Sequence, residues 1–195
     1  MNSHIQINNL TFLQVTLYLY QTGLENIFRE KNNKTLLETL AHHRYINLKE
    51  YVMNNYQEHL NVPLGEFLYQ LKLRKDDFYR KFLNPYGDEI YSKFGIQEFK
   101  EVKGLYAFLL NKKIVYIGRT RDTLGKRINF GYGNISPKNC YRDGQATNCH
   151  INALITKNWA MVSLFFHEIN QVEEIDLLEK KLIQEFHPIW NISFK

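Results

Sequence analysis

Apolar and polar positions change their rhythm near residue 104. From Leu10 to about Phe99 the apolar residues recur at helical rather than alternating spacing. Leu17, Tyr20, Leu24 and Phe28 would share one helix face, Leu36, Leu37 and Leu40 a second, and Leu48, Tyr51, Val52 and Tyr56 a third. Pro63 stands at a helix start and leads Leu64, Phe67, Leu68 and Leu71 on one side. A second short helix is expected over 75–83, which gives 63–83 the outline of a helix-turn-helix, although the join has no glycine and acids flank the basic residues. An all-helical lobe that packs on the rest of the protein is the broader expectation. Asn84-Pro85-Tyr86-Gly87 closes it as a turn.

After Gly104 the runs become short, aromatic and β-branched. Leu105–Leu110 and Ile114–Ile117 read as buried strands, joined by Asn111-Lys112-Lys113 as a three-residue hairpin loop. That register puts Tyr106, Phe108, Tyr116 and Gly118 on one face. Thr120 is placed to cap a helix running to about Phe130, with Asp122 in its first turn. A loop of basic and aromatic residues follows from Gly131 to Asp143, then a helix from Thr147 or Asn148 to Ile155 and a third strand over Met161–Ile169. Val172–Phe186 is an amphipathic helix stopped by His187-Pro188, and Ile189-Trp190-Asn191 is an extended tail. The order predicts a helical lobe over 1–100. Behind it, over 101–195, comes a small α+β domain with a three-stranded antiparallel sheet flanked by helices and an insertion at 131–150.

Charge sharpens the division. The formal net charge of +5 over 195 residues is concentrated in the second half, and between 103 and 142 nine Lys/Arg face one acid, Asp122. Such a run suits a polyanion such as DNA. With 44% hydrophobic residues the chain can bury a core and is not disordered by composition. Cys140 and Cys149, the only cysteines, suggest reduced thiols rather than a disulfide framework. No run approaches the ~20 apolar residues of a membrane span, and Met1–His4 does not lead into a secretory pattern. A cytoplasmic protein without membrane attachment is expected.

Glu179 is the most informative single residue. On a wheel of about 100° per residue it falls inside the stripe made by Leu178, Leu182, Ile175, Phe186, Val172 and Ile183. A carboxylate facing a core needs a hydrogen bond, an arginine in a buried salt bridge or a metal, unless the stripe opens onto solvent there. Two tyrosines (Tyr106, Tyr116), Arg127 and Glu179 together suit phosphodiester hydrolysis, which needs a positioned water, a metal to offset phosphate charge and a cation for the developing pentavalent oxygens. Tyrosine has an ordinary pKa of about 10, so it needs nearby positive charge to act as a base. His42-His43-Arg44 has no carboxylate at ligand spacing, and no nucleotide-binding glycine motif is present.

Gly104-Leu105-Tyr106 followed by Tyr116-Ile117-Gly118 resembles the paired signature of the GIY-YIG nuclease family, in its restriction-endonuclease-like branch, with leucine for the usual isoleucine. The continuation fits as well: Arg119-Thr120, Leu124 before Lys126-Arg127, Leu178-Glu179, Leu182-Ile183, Pro188, and Asn191 twelve residues after Glu179. The resemblance covers about 103–192. It implies Tyr106 as general base or holder of the attacking water, and Tyr116 supporting phosphate and base. Arg127 would stabilise the transition state, Asn191 would hold the tail and the site, and Glu179 would be the ligand of a single Mg²⁺ or Mn²⁺. Arg119, Lys126, Tyr132 and His150 become candidate phosphate or DNA contacts, with His150 in a stretch, Gln145–Asn152, resembling an insertion of the restriction and phage endonuclease branches. One position departs from the pattern. Four residues after the arginine, where many members carry histidine or tyrosine, stands Gly131, and Tyr132 follows it. The resemblance implies a type II restriction endonuclease that cuts double-stranded DNA as a homodimer, alongside a cognate methyltransferase. Alternatives are a nuclease selective for DNA shape or for phage or host DNA, and a non-catalytic DNA-binding protein on the same scaffold.

Overall fold

Three strands, not helices, open the chain. They are β1 (His4–Ile7), β2 (Leu10–Val15) and β3 (Tyr18–Leu24), in a computed structural model that describes residues 3–169 and 171–192. Ile7 pairs with Leu10 across an Asn8-Asn9 turn, with Asn8 in the left-handed region at φ 53°. The helical spacing of Leu17, Tyr20 and Leu24 is fortuitous, because β3 is exposed along nearly its whole length and has no buried face to be periodic about. The later strands are β4 (Tyr91–Gly95), β5 (Gly104–Leu110), β6 (Lys113–Thr120) and β7 (Val162–Glu168).

The main sheet has five strands rather than the expected three, in the order β1-β2-β7-β5-β6, every neighbouring pair antiparallel. β3 and β4 form a separate two-stranded sheet. In the β5–β6 hairpin Tyr106 faces Gly118 and Phe108 faces Tyr116, the register the alternation predicts. The loop is one residue shorter than expected. Asn111 and Lys112 (φ 48° and 67°) make a two-residue turn, and Lys113 already pairs with Leu110. The register slips once, after Phe108, so that Leu109 pairs with Ile114.

Among the described residues five α-helices accompany the strands: α1 (Leu36–Leu40), α2 (Lys49–Asn55), α3 (Leu64–Leu73), α4 (Ala146–Lys157) and α5 (Val172–Phe186). Helix α5 has the bounds its periodicity predicts, and it ends on His187 in the left-handed conformation (φ 44°) before Pro188. Its Ile175, Leu182 and Ile183 close a core with Leu105, Ala107, Leu109, Ile117 and Phe165 on one face of the sheet. Tyr106, Phe108 and Tyr116 are buried on the other face.

The chain is thus a mixed α+β protein, but it does not divide at residue 100. One unit takes 1–22, 92–134 and 154–195, and holds the five-stranded sheet and α5; the other takes 23–91 and 135–153. The second is the helical unit, built on a core that includes Phe28, Leu40, Phe67, Leu68, Phe82 and Tyr141. Thr35 opens α1 with a reciprocal capping box to Glu38. Cys140 and Cys149 are free and buried in this unit. The helix-turn-helix outline over 63–83 is not realised. After α3 comes a left-handed Lys75 (φ 61°) and then only a five-residue 3₁₀ turn, Asp77–Lys81, whose Tyr79 is buried. Asp77, Arg80 and Lys81 are exposed, but a turn that short, with an aromatic ring in the core, does not make a recognition helix. Most of the expected insertion, from residue 135 onward, belongs to this helical unit.

Candidate active site

The hairpin builds the site because its two glycines remove side chains where the chain is closest to itself. Gly104, at φ 148°, sits so near the His167 carbonyl that a Cβ would overlap it. A Cβ on Gly118 would meet the ring and hydroxyl of its cross-strand partner Tyr106 at 2.6 Å. Tyr106 therefore lies across Gly118 with its hydroxyl carried over β6.

A third tyrosine joins the pair, and the helix after the hairpin explains how. Thr120 does not cap that helix. It ends β6 opposite Gly104, and its hydroxyl donates to the Thr123 carbonyl (3.1 Å). Thr123 is the cap, its Oγ1 accepting from the Lys126 N–H (3.2 Å). From Lys126 to Tyr132 the winding is π, and the Gly133 N–H reaches back five residues to the Ile128 carbonyl (2.6 Å). Five residues now make a turn where four did, so Tyr132 comes round to the side of Arg127, whose guanidinium carbon is 5.8 Å from the centre of the Tyr132 ring. The place left open by Gly131 is filled by the next residue. The Tyr132 hydroxyl is 2.9 Å from that of Tyr106 and 3.0 Å from that of Tyr116.

These three hydroxyls are buried, and burial pushes each of them well above the ordinary tyrosine value, leaving them neutral. The positive charge of Arg127 acts on all three in the opposite sense, and Glu179 is near enough for its negative charge to oppose ionisation of Tyr106 and Tyr116. Tyr106, Tyr116, Tyr132, Arg127 and Glu179 thus form one electrostatic group.

Glu179 sits on α5, its side chain 13% exposed, and its Oε2 accepts from Arg119 Nε at 2.6 Å. Desolvation raises its pKa, against the opposing charges of Arg119, Arg127 and Arg121. The arginine salt bridge that the helical wheel left open is therefore made. Asp176, one turn earlier, was not singled out by the sequence, yet it is bound by Arg119 through Nη1 and by Arg121 through Nη2 and Nε, the last at 2.9 Å to Oδ1. The signal was present: arginines two apart at a strand end match acids three apart on a helix.

Asn191 closes the edge. Its side-chain oxygen accepts from the Ile117 N–H (3.0 Å) and its amide donates to the Ile117 carbonyl (2.8 Å), while the Trp190 N–H donates to Val115 (2.8 Å). The tail thus pairs with the outer side of β6, the last strand of the sheet. Lys126 is exposed and ion-paired to Asp122 (2.8 Å). His150 belongs to the helical unit, its ring 4.3 Å from that of Tyr86.

Among the described residues no cluster of three or more His, Cys, Asp or Glu is set for a metal. One partly buried carboxylate is still a sufficient protein contribution for Mg²⁺ or Mn²⁺, which keep several waters and take substrate phosphate oxygens. Glu179 fits that demand. The chain matches no protein-family model, no curated protein and no solved structure.

Proposed function

We propose that this chain is a divalent-metal-dependent DNA endonuclease of the GIY-YIG type, hydrolysing phosphodiester bonds. The observation that supports it best is the meeting of three tyrosine hydroxyls beside Arg127, with Glu179 acting on two of them, those of Tyr106 and Tyr116. In this reading Tyr106 orients the attacking water, and Tyr116 and Tyr132 hold Tyr106 and a phosphate oxygen by hydrogen bonds. Arg127 faces the charge that develops on the phosphate in the transition state. Glu179 would hold one Mg²⁺ or Mn²⁺, which supplies neutralising charge at the phosphate. Asn191 keeps β6 in register under the site.

The finer reading is sequence-specific double-strand cleavage by a type II restriction enzyme. One such site cuts one strand, so this reading carries a homodimer on DNA, and a partner methyltransferase would protect the host. A second reading, a nuclease selective for DNA shape with little sequence preference, gains from the second helix being only a five-residue 3₁₀ turn at 77–81, which weakens one candidate base-reading element. Incubating supercoiled and linear DNA with the protein and Mg²⁺ or Mn²⁺ tests both. Cleavage is expected from the intact protein and none from Glu179→Ala, with Arg127→Ala slower on the order of 10²–10³-fold. Discrete fragments favour the restriction reading and a smear the second. Salt-sensitive DNA binding without products in any divalent metal would leave a binding protein on this scaffold.

A further inference from the structure

The arginine–carboxylate contacts at the end of β6 bear on how Glu179 receives its ion. Arg119 spans two carboxylates, with Nε on Glu179 Oε2 (2.6 Å) and Nη1 on Asp176 Oδ1. Arg121 binds both oxygens of Asp176 from the other side. Access to solvent increases along this chain of contacts, from a Glu179 side chain 13% exposed to Arg119 at 31% and Asp176 at 38%. A guanidinium on Glu179 Oε2 repels a divalent ion at either oxygen of this largely buried carboxylate, because their mutual repulsion is poorly screened there. A metal at Glu179 is therefore favoured once the Nε contact breaks. The Nη1 contact to Asp176 need not break, so Arg119 has a second anchor already in place and need only turn about it.

We propose that Arg119 is the resident counter-charge of Glu179 before metal and DNA arrive, and that Asp176, steadied by Arg121, is a positioning residue that takes over Arg119 when a divalent ion binds. The proposal rests on the nuclease reading of Glu179. Its consequence is that metal binding in the absence of DNA is weakened by an internal competitor, while a bound phosphate supplies the displaced guanidinium with a further anionic partner. The contact that neutralises the half-buried carboxylate is also the one that delays its loading.

Mn²⁺ titration of the full-length, DNA-free protein, by calorimetry or by the spin-resonance signal of free Mn²⁺, tests the proposal. Arg119→Gln should bind Mn²⁺ more tightly than the unaltered chain, on the order of tenfold. Asp176→Asn should bind it several-fold more weakly, because Arg119 loses its second anchor and stays on Glu179, and Asp176→Glu should recover most of the loss. In the double variant the effect of Asp176→Asn should shrink, since the guanidinium that bridges Asp176 to Glu179 is gone and only Arg121 remains beside Asp176. If Arg119→Gln does not fold, as judged by circular dichroism, Arg119→Lys serves instead. A single ammonium cannot span both carboxylates as the planar fork does, so it too should bind Mn²⁺ more tightly. Unchanged or weaker affinity in the Arg119 variants, or simple additivity in the double variant, overturns the proposal while leaving the nuclease reading intact, provided that Glu179→Gln abolishes binding and the unaltered protein cleaves DNA. Mn²⁺ affinity indifferent to Glu179→Gln overturns both.

Discussion

Gly118 has no side chain, and Tyr106 lies where one would be. Gly118→Ala should force the ring aside at a cost of about 1–3 kcal/mol, read as a lower urea midpoint, and should cut cleavage by displacing the Tyr106 hydroxyl. A milder change isolates the hydroxyl network. Tyr132→Phe keeps the ring and deletes the oxygen shared by Tyr106 and Tyr116, so stability should fall by about 1–2 kcal/mol and activity should fall with it. The same residues set the alkaline limit. Tyr106, Tyr116 and Tyr132 ionise well above the ordinary value in the folded chain, and Tyr79, buried and hydrogen-bonded to Asp88, is pushed up to about 12. A raised folded value favours the protonated native state. Their contribution is therefore complete below pH of about 10 and is lost as pH rises beyond it through the folded values. Tyrosinate absorbance and circular dichroism followed together should show the buried tyrosines ionising only as the chain unfolds. Early ionisation in a native fold would contradict the burial argument.

At the scale of elements, β6 is an edge strand whose outer side is covered by the tail. Asn191→Ala leaves the Ile117 N–H and C=O without these partners in a buried place, and should cost about 2–4 kcal/mol. Asn191→Asp keeps an acceptor for the N–H but offers nothing to the carbonyl, so it should also destabilise, as chemical denaturation will show. What could be read from sequence at this scale was what local pattern determines. The hairpin register followed from alternation around Tyr106 and Tyr116, and α5 from its apolar stripe and the His187-Pro188 stop. The first strands were misread because β3 buries almost nothing and β2 buries Phe12 and Val15 three apart, a spacing closer to a helix than to a strand. Tyr132 was legible as the substitute for the residue expected at Gly131, through an early end of the helix rather than through a π turn. A spacing of five meets one face only in a π turn, and nothing local in Lys126–Tyr132 distinguishes that winding from an α-helix. Asp176 does not stand out in the sequence because a wheel drawn about one helix cannot show the arginines of another element.

For the whole molecule, the two units interleave in sequence: residues 23–91 and 135–153 are set into a unit made of three separate segments. A cut at residue 100 therefore does not yield independent domains. Expressed alone, 101–195 would lack β1 and β2 and expose the edge of β7 that pairs with Leu13–Val15. Such a fragment should aggregate or fail to give a dispersed spectrum in solution, whereas adding 1–100 in trans should restore some order. Among the described residues no helix is long and apolar enough to cross a membrane.

The position of β7 also fixes a timetable. It is the middle strand of five, between β2 and β5, yet it follows the other four strands of its sheet in the sequence. Until residue 168 has emerged, the β1–β2 and β5–β6 pairs exist only as two hairpins with unsatisfied edges. The sheet can then close only after β7 has been made, and α5 and the tail, which bring Glu179 and Asn191 to the site, follow after that.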